Sequence, residues 1–418
     1  ARRARGIGVP AVLLAALLLP LLFRGPFLGL PQVEDSRQII GTAAGVAISI
    51  ILGFLVSEEA LKFPGRMLIG YVFASFTASF LIVVALFFMF RFDYSRFQFL
   101  GGYIISTGWM VLYYWRVHAR ARTVLGLVPE GDALTSAPLA KVEWVILKEP
   151  DEIPSECQGV VADLHAELPE KWARFVTNCV LSGVPVYHTK YIVEVMTGKL
   201  EIKHLSENTL GSLNPTDIYL RFKYFVDATI ALLLLVGLSP LFVLVAIAIR
   251  LDSPGPALFR QERVGFRGER FRIFKFRTMT HLAEAPVDAG EARVASMTTA
   301  GDQRITRIGA WLRKTRIDEL PQVINILRGE MSWIGPRPEA VPLSEWYEST
   351  LPFYSYRHIV RPGISGWAQV NQGHVVELDD VLEKLHYDFF YIKHFSPWLD
   401  LLICLMTIEV MIRGYGAR

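Results

Sequence analysis

The stretch RFKYFVDATIALLLLVGLSPLFVLVAIAIRLDSPGP, residues 221–256, limits what this chain can fold into more than any other. Its apolar run, Phe225–Ile249, is long enough for a helix to cross a bilayer core, which takes ~20 residues. Both flanks are basic, however. Arg221 and Lys223 precede the run, and Arg250, Arg260, Arg263, Arg267, Arg270, Arg272, Lys275 and Arg277 follow it. Basic residues favour the cytoplasmic face, so this distribution pulls both ends to one side. Ser239-Pro240 stands near the middle. Pro240 has no N–H to give the Val236 carbonyl, and its ring resists a straight helix. The Ser239 hydroxyl can satisfy freed backbone groups, as membrane depth demands. A re-entrant helix over residues 222–250, broken at Ser239-Pro240 and confined to one leaflet, meets both constraints. A kinked helix that spans is the alternative, and it would put everything after Arg250 on the opposite face.

The N-terminal third suits a membrane setting. Four further apolar segments, about Ile7–Phe23, Ile39–Val56, Met67–Phe90 and Phe97–Tyr114, approach spanning length. Arg2, Arg3 and Arg5 before the first imitate a signal peptide, but LLPLLFRGPFLGL lacks a small-x-small cleavage site, so a retained anchor is expected. If all four span, the N-terminal arginines, Lys62 with Arg66, and Arg116, Arg120 and Arg122 share the cytoplasmic face. The hydrophobic content of 52% and the mean hydropathy of +0.34 are too high for an ordinary soluble protein. Lys and Arg number 43 against 40 Asp and Glu, which removes nucleic acid as a partner of the whole chain. Cys157, Cys179 and Cys404 have no metal-ligand spacing and imply a reducing, cytoplasm-facing soluble part.

These readings divide the chain into three parts. Residues 1–117 form a helical transmembrane bundle, 118–213 a small cytoplasmic α/β module, and 214–418 a mainly α catalytic domain. In the module, candidate strands are Val142–Leu147, Gly159–Leu164 and Gly183–Thr189, with EKWARFVTNCVLSG as an intervening helix. Short apolar runs alternating with helix predict a doubly wound, Rossmann-like parallel sheet. GLVPEGD is no G-x-G-x-x-G, so the module reads as structural or regulatory rather than nucleotide-binding.

The chemistry concentrates in KTRIDELPQVINILRGEMSWIGPRP, residues 314–338. Before it, arginines alternate with Phe and Val in ALFRQERVGFRGERFRIFKFRTMT, so one side can pack while the other meets lipid headgroups or a pyrophosphate. Residues Leu282–Gly301 then read as a mobile loop. Asp318 and Glu319 stand side by side among Arg313, Lys314, Arg316, Arg328 and Arg337. The plain reading makes Asp318 a helix N-cap and Glu319 a dipole-compensating acid, with Pro321 in the first helical turn. The alternative is a phosphoryl-transfer site. There an Asp attacks phosphorus, its neighbour holds Mg²⁺, and guanidiniums hold the substrate.

Five ordered motifs carry a resemblance: KYFVDATIALLLLVGLSPLF, SPGPALFRQERVGFRGERFRIFKFRTM, LRKTRIDELPQVINILRGEMSWIGPRP, RPGISGWAQVN and YDFFYIKHFSPWLDL. From Arg221 onward the chain resembles the bacterial sugar transferases, monotopic polyprenyl-phosphate phosphoglycosyl transferases. The resemblance implies that a hexose-1-phosphate passes from a UDP-sugar to undecaprenyl phosphate, with release of UMP, through a covalent aspartyl-phosphosugar. It places Asp318 as nucleophile, Glu319 with Mg²⁺, Ser239 and Pro240 at the re-entrant break, and Pro336, Arg337 and Pro338 in a phosphate-side loop. Arg337, Arg316, Arg277 and Lys275 are the candidates for substrate phosphates. Gln369 and Trp367 match the motif and also suit packing; Asp388 and Tyr391 match without an assigned role. Gln372-Gly373-His374 replaces a Gly-Arg that often follows WAQVN in the family, which loosens inference about the sugar. An N-acetylated sugar, or a non-catalytic scaffold of polysaccharide assembly, remains the alternative. The C-terminal SPWLDLLICLMTIEVMIRGYG, interrupted by Asp400 and Glu409, reads as an interfacial helix. The implied setting is the bacterial inner membrane, multi-pass, with the catalytic domain facing the cytoplasm among membrane lipids. The added bulk of the N-terminal parts predicts a homodimer.

Overall fold

The computed structural model describes residues 12–16, 36–60, 68–118, 123–131, 142–150, 153–154, 156–201, 217–280, 304–372 and 378–413. It divides into two compact units, Ala1–Gly198 and Lys199–Arg418. The expected loop Leu282–Gly301, His374 and most of the first apolar segment lie outside the described residues.

In the first unit, helices α1 (Ser36–Ala60), α2 (Leu68–Met89) and α3 (Arg96–His118) occupy the second, third and fourth apolar segments. Val46, Ile50, Phe76, Phe80 and Phe99 share their core. Glycine permits the close approach: a Cβ on Gly102 would fall 2.7 Å from Val46, and one on Gly45 2.8 Å from the Phe87 ring. The hydroxyls of Thr42, Ser49 and Ser79 donate to carbonyls one helical turn back, at 2.7, 2.8 and 2.8 Å. Among the described residues one helix, over Arg37–Ser57, is long and apolar enough to cross a membrane, and Ser75–Met89 is a shorter apolar helix.

The module's strands β1 (Thr123–Leu127), β2 (Val142–Ile146), β3 (Val160–Ala162) and β4 (Val186–His188) form one parallel sheet in the order β2-β1-β3-β4. Helix α4 (Glu170–Leu181) packs Trp172, Phe175 and Cys179 against Val160 and Ala162. Helix α5 (Thr189–Thr197) packs Ile192 with Leu125, Leu127 and Val161. Alternate strand residues thus serve opposite faces, as the period of two requires, and the doubly wound expectation matches this arrangement. Strand β1, TVLGL, is the one that sequence reading does not pick out, because Gly126 interrupts its apolar run. At its carboxyl end, Gly131 has φ +64, and a Cβ there would lie 2.7 Å from Asp163 Oδ2.

The second unit begins with Lys199, whose ammonium lies 2.5 Å from Glu383 Oε1, and Leu200, whose N–H donates to the His386 carbonyl at 3.0 Å. Helices α6 (Asp217–Gly237) and α7 (Ser239–Asp252) meet at a break, with a bend of 63° between them. The Ser239 hydroxyl donates to the Val236 carbonyl at 2.8 Å, the group that Pro240 cannot reach with an N–H. Phe225, Leu233, Val236, Val243 and Leu244 are exposed on this bent pair. Strands β5 (Leu258–Val264) and β6 (Arg270–Phe276) form an antiparallel hairpin, turned by Arg267 at φ 56 and Gly268 at φ 80. The arginine–aromatic alternation of this stretch is therefore a strand pattern.

Helix α8 (Arg307–Thr315) is capped by Thr306, whose Oγ1 accepts from Gly309 N at 3.0 Å. It lies so close to the end of β6 that a Cβ on Gly309 would fall 2.1 Å from the Thr278 carbonyl. After α9 (Val323–Leu327) comes β7 (Ser332–Ile334), then α10 (Val341–Thr350) and β8 (Gly363–Ser365), which pairs parallel to β7. Helices α11 (Trp367–Asn371), α12 (Leu378–Lys393) and α13 (Pro397–Arg413) complete the unit. Asp400, read from the sequence as an interruption of an interfacial helix, is buried in α13. Its Oδ2 accepts from Lys223 Nζ at 2.7 Å and from the Tyr219 hydroxyl at 2.5 Å; its Oδ1 accepts from the Tyr391 hydroxyl at 2.8 Å. A charge inside an apolar helix here ties α13 to α6.

Candidate active site

The acid pair owes its position to a chain reversal. Helix α8 ends at Arg316, a left-handed residue at φ 59, and a 3-10 turn over Ile317–Gln322 follows before α9. Pro321 lies inside that turn, and Asp318 and Glu319 both point inward and are buried. This overturns the capping alternative. The N-cap of the turn is Arg316 and that of α9 is Gln322, and neither carboxylate closes a cap. A buried carboxylate that caps nothing needs a cation, a metal or a ligand to justify its desolvation.

Glu319 has its cations. Its Oε1 accepts from Lys275 Nζ at 3.0 Å and from the Arg337 guanidinium at 2.7 Å. Lys275 comes from the end of β6 and Arg337 from the turn after β7, so three chain segments converge on one oxygen. Burial pushes Glu319 up, but Arg337 and Lys275 outweigh it and hold the carboxyl well below the usual range. Asp318 is placed differently: its Oδ1 is buried with no hydrogen-bond partner. Burial, then the charge of Glu319, push Asp318 above the ordinary carboxylate range, against the pull of Lys275, Arg316 and Arg313. One carboxylate is neutralised by contact, and its neighbour is left available.

The other sequence candidates sort by location. Arg316 sits beside both acids and acts on them through its charge. Arg277 is held elsewhere. Its guanidinium is taken up by the carbonyls of Ser253 at 2.6 Å and Pro254 at 2.9 Å and by Ser253 Oγ at 3.0 Å, so it secures the exit of α7 rather than joining the acid pair. Arg328 also leaves the frame, lying over the Phe274 ring at 4.8 Å. Ser239 and Pro240 stay with the helix break. Trp367 is packing: it is buried and stacks on Phe390 at 5.6 Å. Gln369 donates to the Ile364 carbonyl at 3.1 Å and leaves its Oε1 buried without a partner.

The turn Pro336-Arg337-Pro338 is held through its carbonyls. The Gly363 N–H reaches Pro336 O at 3.0 Å, Arg357 reaches Arg337 O at 2.8 Å, and Arg263 reaches Pro338 O at 3.0 Å. Asp388 accepts from Arg357 Nε at 3.0 Å, and Tyr391 donates to Ile334 O at 3.1 Å, which supplies both motif residues with partners. Arg263 and Arg357 are absent from the sequence candidates. Neither lies in a recognisable spacing, and only the fold brings them to the turn.

Among the described residues no group of three or more His, Cys, Asp or Glu is arranged to hold a metal. Mg²⁺ needs no such cage, because it keeps waters and is bound through one or two carboxylates together with substrate phosphates. The orphaned Asp318 oxygen beside ionised Glu319 fits that kind of shared site.

Comparison with known proteins identifies the family. The family model for bacterial sugar transferases matches residues 218–414. Over 96% of this chain and 93% of its own length, an Aeromonas hydrophila protein is 40% identical; it is named UDP-N-acetylgalactosamine-undecaprenyl-phosphate N-acetylgalactosaminephosphotransferase. An undecaprenyl-phosphate glucose phosphotransferase from Komagataeibacter xylinus is 45% identical, over 44% of this chain and 34% of its own length. The Escherichia coli K12 UDP-glucose:undecaprenyl-phosphate glucose-1-phosphate transferase is 40% identical, over 44% of this chain and 38% of its own.

Proposed function

This chain belongs to the bacterial sugar transferase family and is a phosphotransferase enzyme, and from that premise we propose that it passes a sugar 1-phosphate from a UDP-sugar to undecaprenyl phosphate. The observation that carries this reading is the unequal acid pair, with Asp318 buried and its Oδ1 without a hydrogen-bond partner, and Glu319 clasped by Lys275 and Arg337. An Asp318 oxygen attacks the β-phosphorus of the donor. The bond from that phosphorus to the bridging oxygen breaks, UMP leaves with the electron pair, and the sugar phosphate remains on Asp318. A phosphate oxygen of the lipid then attacks the same phosphorus and the carboxylate departs. A covalent intermediate lets a soluble donor and a membrane-bound acceptor use one site in turn. Arg337, Lys275 and Arg316 supply positive charge for the donor phosphates. Glu319 and those phosphates would hold Mg²⁺, which would withdraw charge from the pyrophosphate during displacement.

The donor favoured here is an acetamido sugar, because the relative matched along nearly its whole length is named for N-acetylgalactosamine. The relatives named for glucose quoted above match less than half of this chain. For the setting, the 63° bend and the apolar residues exposed around it support re-entry of α6 and α7 into one leaflet. The helical N-terminal segments support a multi-pass anchor in the bacterial inner membrane, with the catalytic unit toward the cytoplasm. A homodimer is part of the same proposal.

The test is UMP release from a panel of UDP-sugars by full-length protein, with undecaprenyl phosphate and Mg²⁺. Wild type should release UMP, most readily with UDP-N-acetylgalactosamine, and label from sugar-labelled donor should stay on the protein when the lipid is withheld. Asp318→Asn should do neither. Turnover that persists in Asp318→Asn would overturn the covalent mechanism. Silence toward every donor from folded wild type would favour a scaffold.

A further inference from the structure

The turn that presents Arg337 cannot hold itself. Two of its three residues are proline, so within Pro336-Arg337-Pro338 only Arg337 has an N–H to donate. Its carbonyls are therefore the available handles, and each of those from Pro336 to Glu339 is taken. Gly363 N–H holds Pro336 O at 3.0 Å, and Val264 N–H holds Glu339 O at 3.1 Å. The two carbonyls between, those of Arg337 and Pro338, are held by the side chains of Arg357 and Arg263, at 2.8 and 3.0 Å.

Arg357 is the better constrained of the two. Its side chain is 3% exposed, and its guanidinium spans three partners: Asp388, the Tyr354 hydroxyl at 2.8 Å, and the Arg337 carbonyl. Asp388 is itself buried, on α12. One turn earlier on that helix, Lys384 pairs with Glu339, the residue that follows the turn. One helix thus carries both charges that secure the segment around Arg337. Burying an ion pair is costly, and an apolar pair would fill the volume at lower cost. A planar fork that grips a carboxylate and a carbonyl together is what arginine alone supplies.

We propose that Arg357, oriented by Asp388, is a positioning residue for phosphoryl transfer: it fixes the main chain at Arg337 so that this guanidinium meets Glu319 and the donor phosphate. The proposal rests on the function given above. It requires Arg357 to act through Arg337, which a purely structural role does not. Arg357→Lys retains the charge opposite Asp388 but cannot grip three partners at once.

The experiment is a double-mutant cycle on the full chain in lipid nanodiscs, with UMP release as the rate and amide hydrogen exchange over residues 335–340 as a second readout. In the wild-type background Arg357→Lys should lower kcat by about 10–100-fold, the order of loss expected from a reacting group displaced by about 1 Å. Exchange over the turn should rise while Tm stays close to that of wild type. In an Arg337→Ala background the same change should cost little more, since its target is already gone. Equal losses in both backgrounds, or no change in exchange over the turn, would overturn the proposal. A wild type that releases no UMP would instead count against the functional reading, and the exchange data would still decide whether Arg357 holds the turn.

Discussion

Asp318 and Glu319 share a peptide bond and almost nothing else. Two titratable neighbours whose surroundings push them in opposite directions mark a division of labour. Because Asp318 is held above the ordinary carboxylate range, kcat/KM should fall on acidification through an apparent pKa above the ~3.9 of a free aspartate. Glu319→Gln removes the like charge and frees Lys275, so the acid limb of any residual activity should move to lower pH; a limb that moves upward would contradict the assignment. Stability should separate the pair as well. Glu319→Gln leaves two half-buried cations without their carboxylate, which should cost up to about 3 kcal/mol, less than a fully buried pair, and lower Tm. Asp318→Asn relieves a buried carboxylate whose Oδ1 has no hydrogen-bond partner and should hold or raise Tm, as replacements of strained catalytic groups often do.

At the scale of elements, α6 is shaped at both ends, by the break before α7 and by the buried charges near its start. Ser239 takes the carbonyl that Pro240 vacates, so the bend has a local cause and needs no ligand. Single cysteines placed at positions 218 and 254 should be labelled by an impermeant reagent from the same face of inverted vesicles; labelling from opposite faces would make the pair one spanning helix. Near the start of α6, Lys223 and Asp400 join it to α13 while 6% and 12% exposed. Asp400→Asn should lower Tm, by up to about 3 kcal/mol of stability, because Lys223 then keeps only the more distant Asp227, at 3.9 Å, as a counter-charge. Replacing both residues by Met and Leu should recover little of that loss, because Asp227 then lacks its cation and the Tyr219 hydroxyl its acceptor.

For the whole molecule, two motifs far apart in the chain close into one body. A Cβ on Gly335 would fall 2.3 Å from the Arg361 carbonyl, and one on Gly366 2.2 Å from the Gly335 carbonyl. Glycine at these positions is what lets β7 and β8 pair and Arg337 leave toward Glu319. The second unit also starts earlier than the composition of the chain implies. Leu200 is buried and Lys199 pairs with Glu383, so a fragment beginning at Lys199 should melt several degrees above one beginning at Asp217. Burial of a leucine, worth about 1.5–3 kcal/mol, accounts for that difference. Equal melting temperatures would show these residues to be a dispensable tail.

Local chemistry was legible without coordinates. Proline between two serviceable half-helices, apolar runs of fixed length, alternation in strands and an acid pair among arginines are all properties of neighbours in the chain, and α1, α2, α3 and the module's helix α4 followed from them. Even so, β1 escaped notice, because one glycine within five residues hid its alternation. Partner choice was not legible. Arg277, Arg328 and Arg337 look alike in the sequence, yet one secures a helix exit, one covers a phenylalanine and one meets Glu319. Asp400 interrupts an apolar segment in the sequence and is an internal counter-charge in the structure. The direction in which a long side chain spends its charge depends on residues tens to hundreds of positions away, and only the closed tertiary structure brings those within hydrogen-bonding distance.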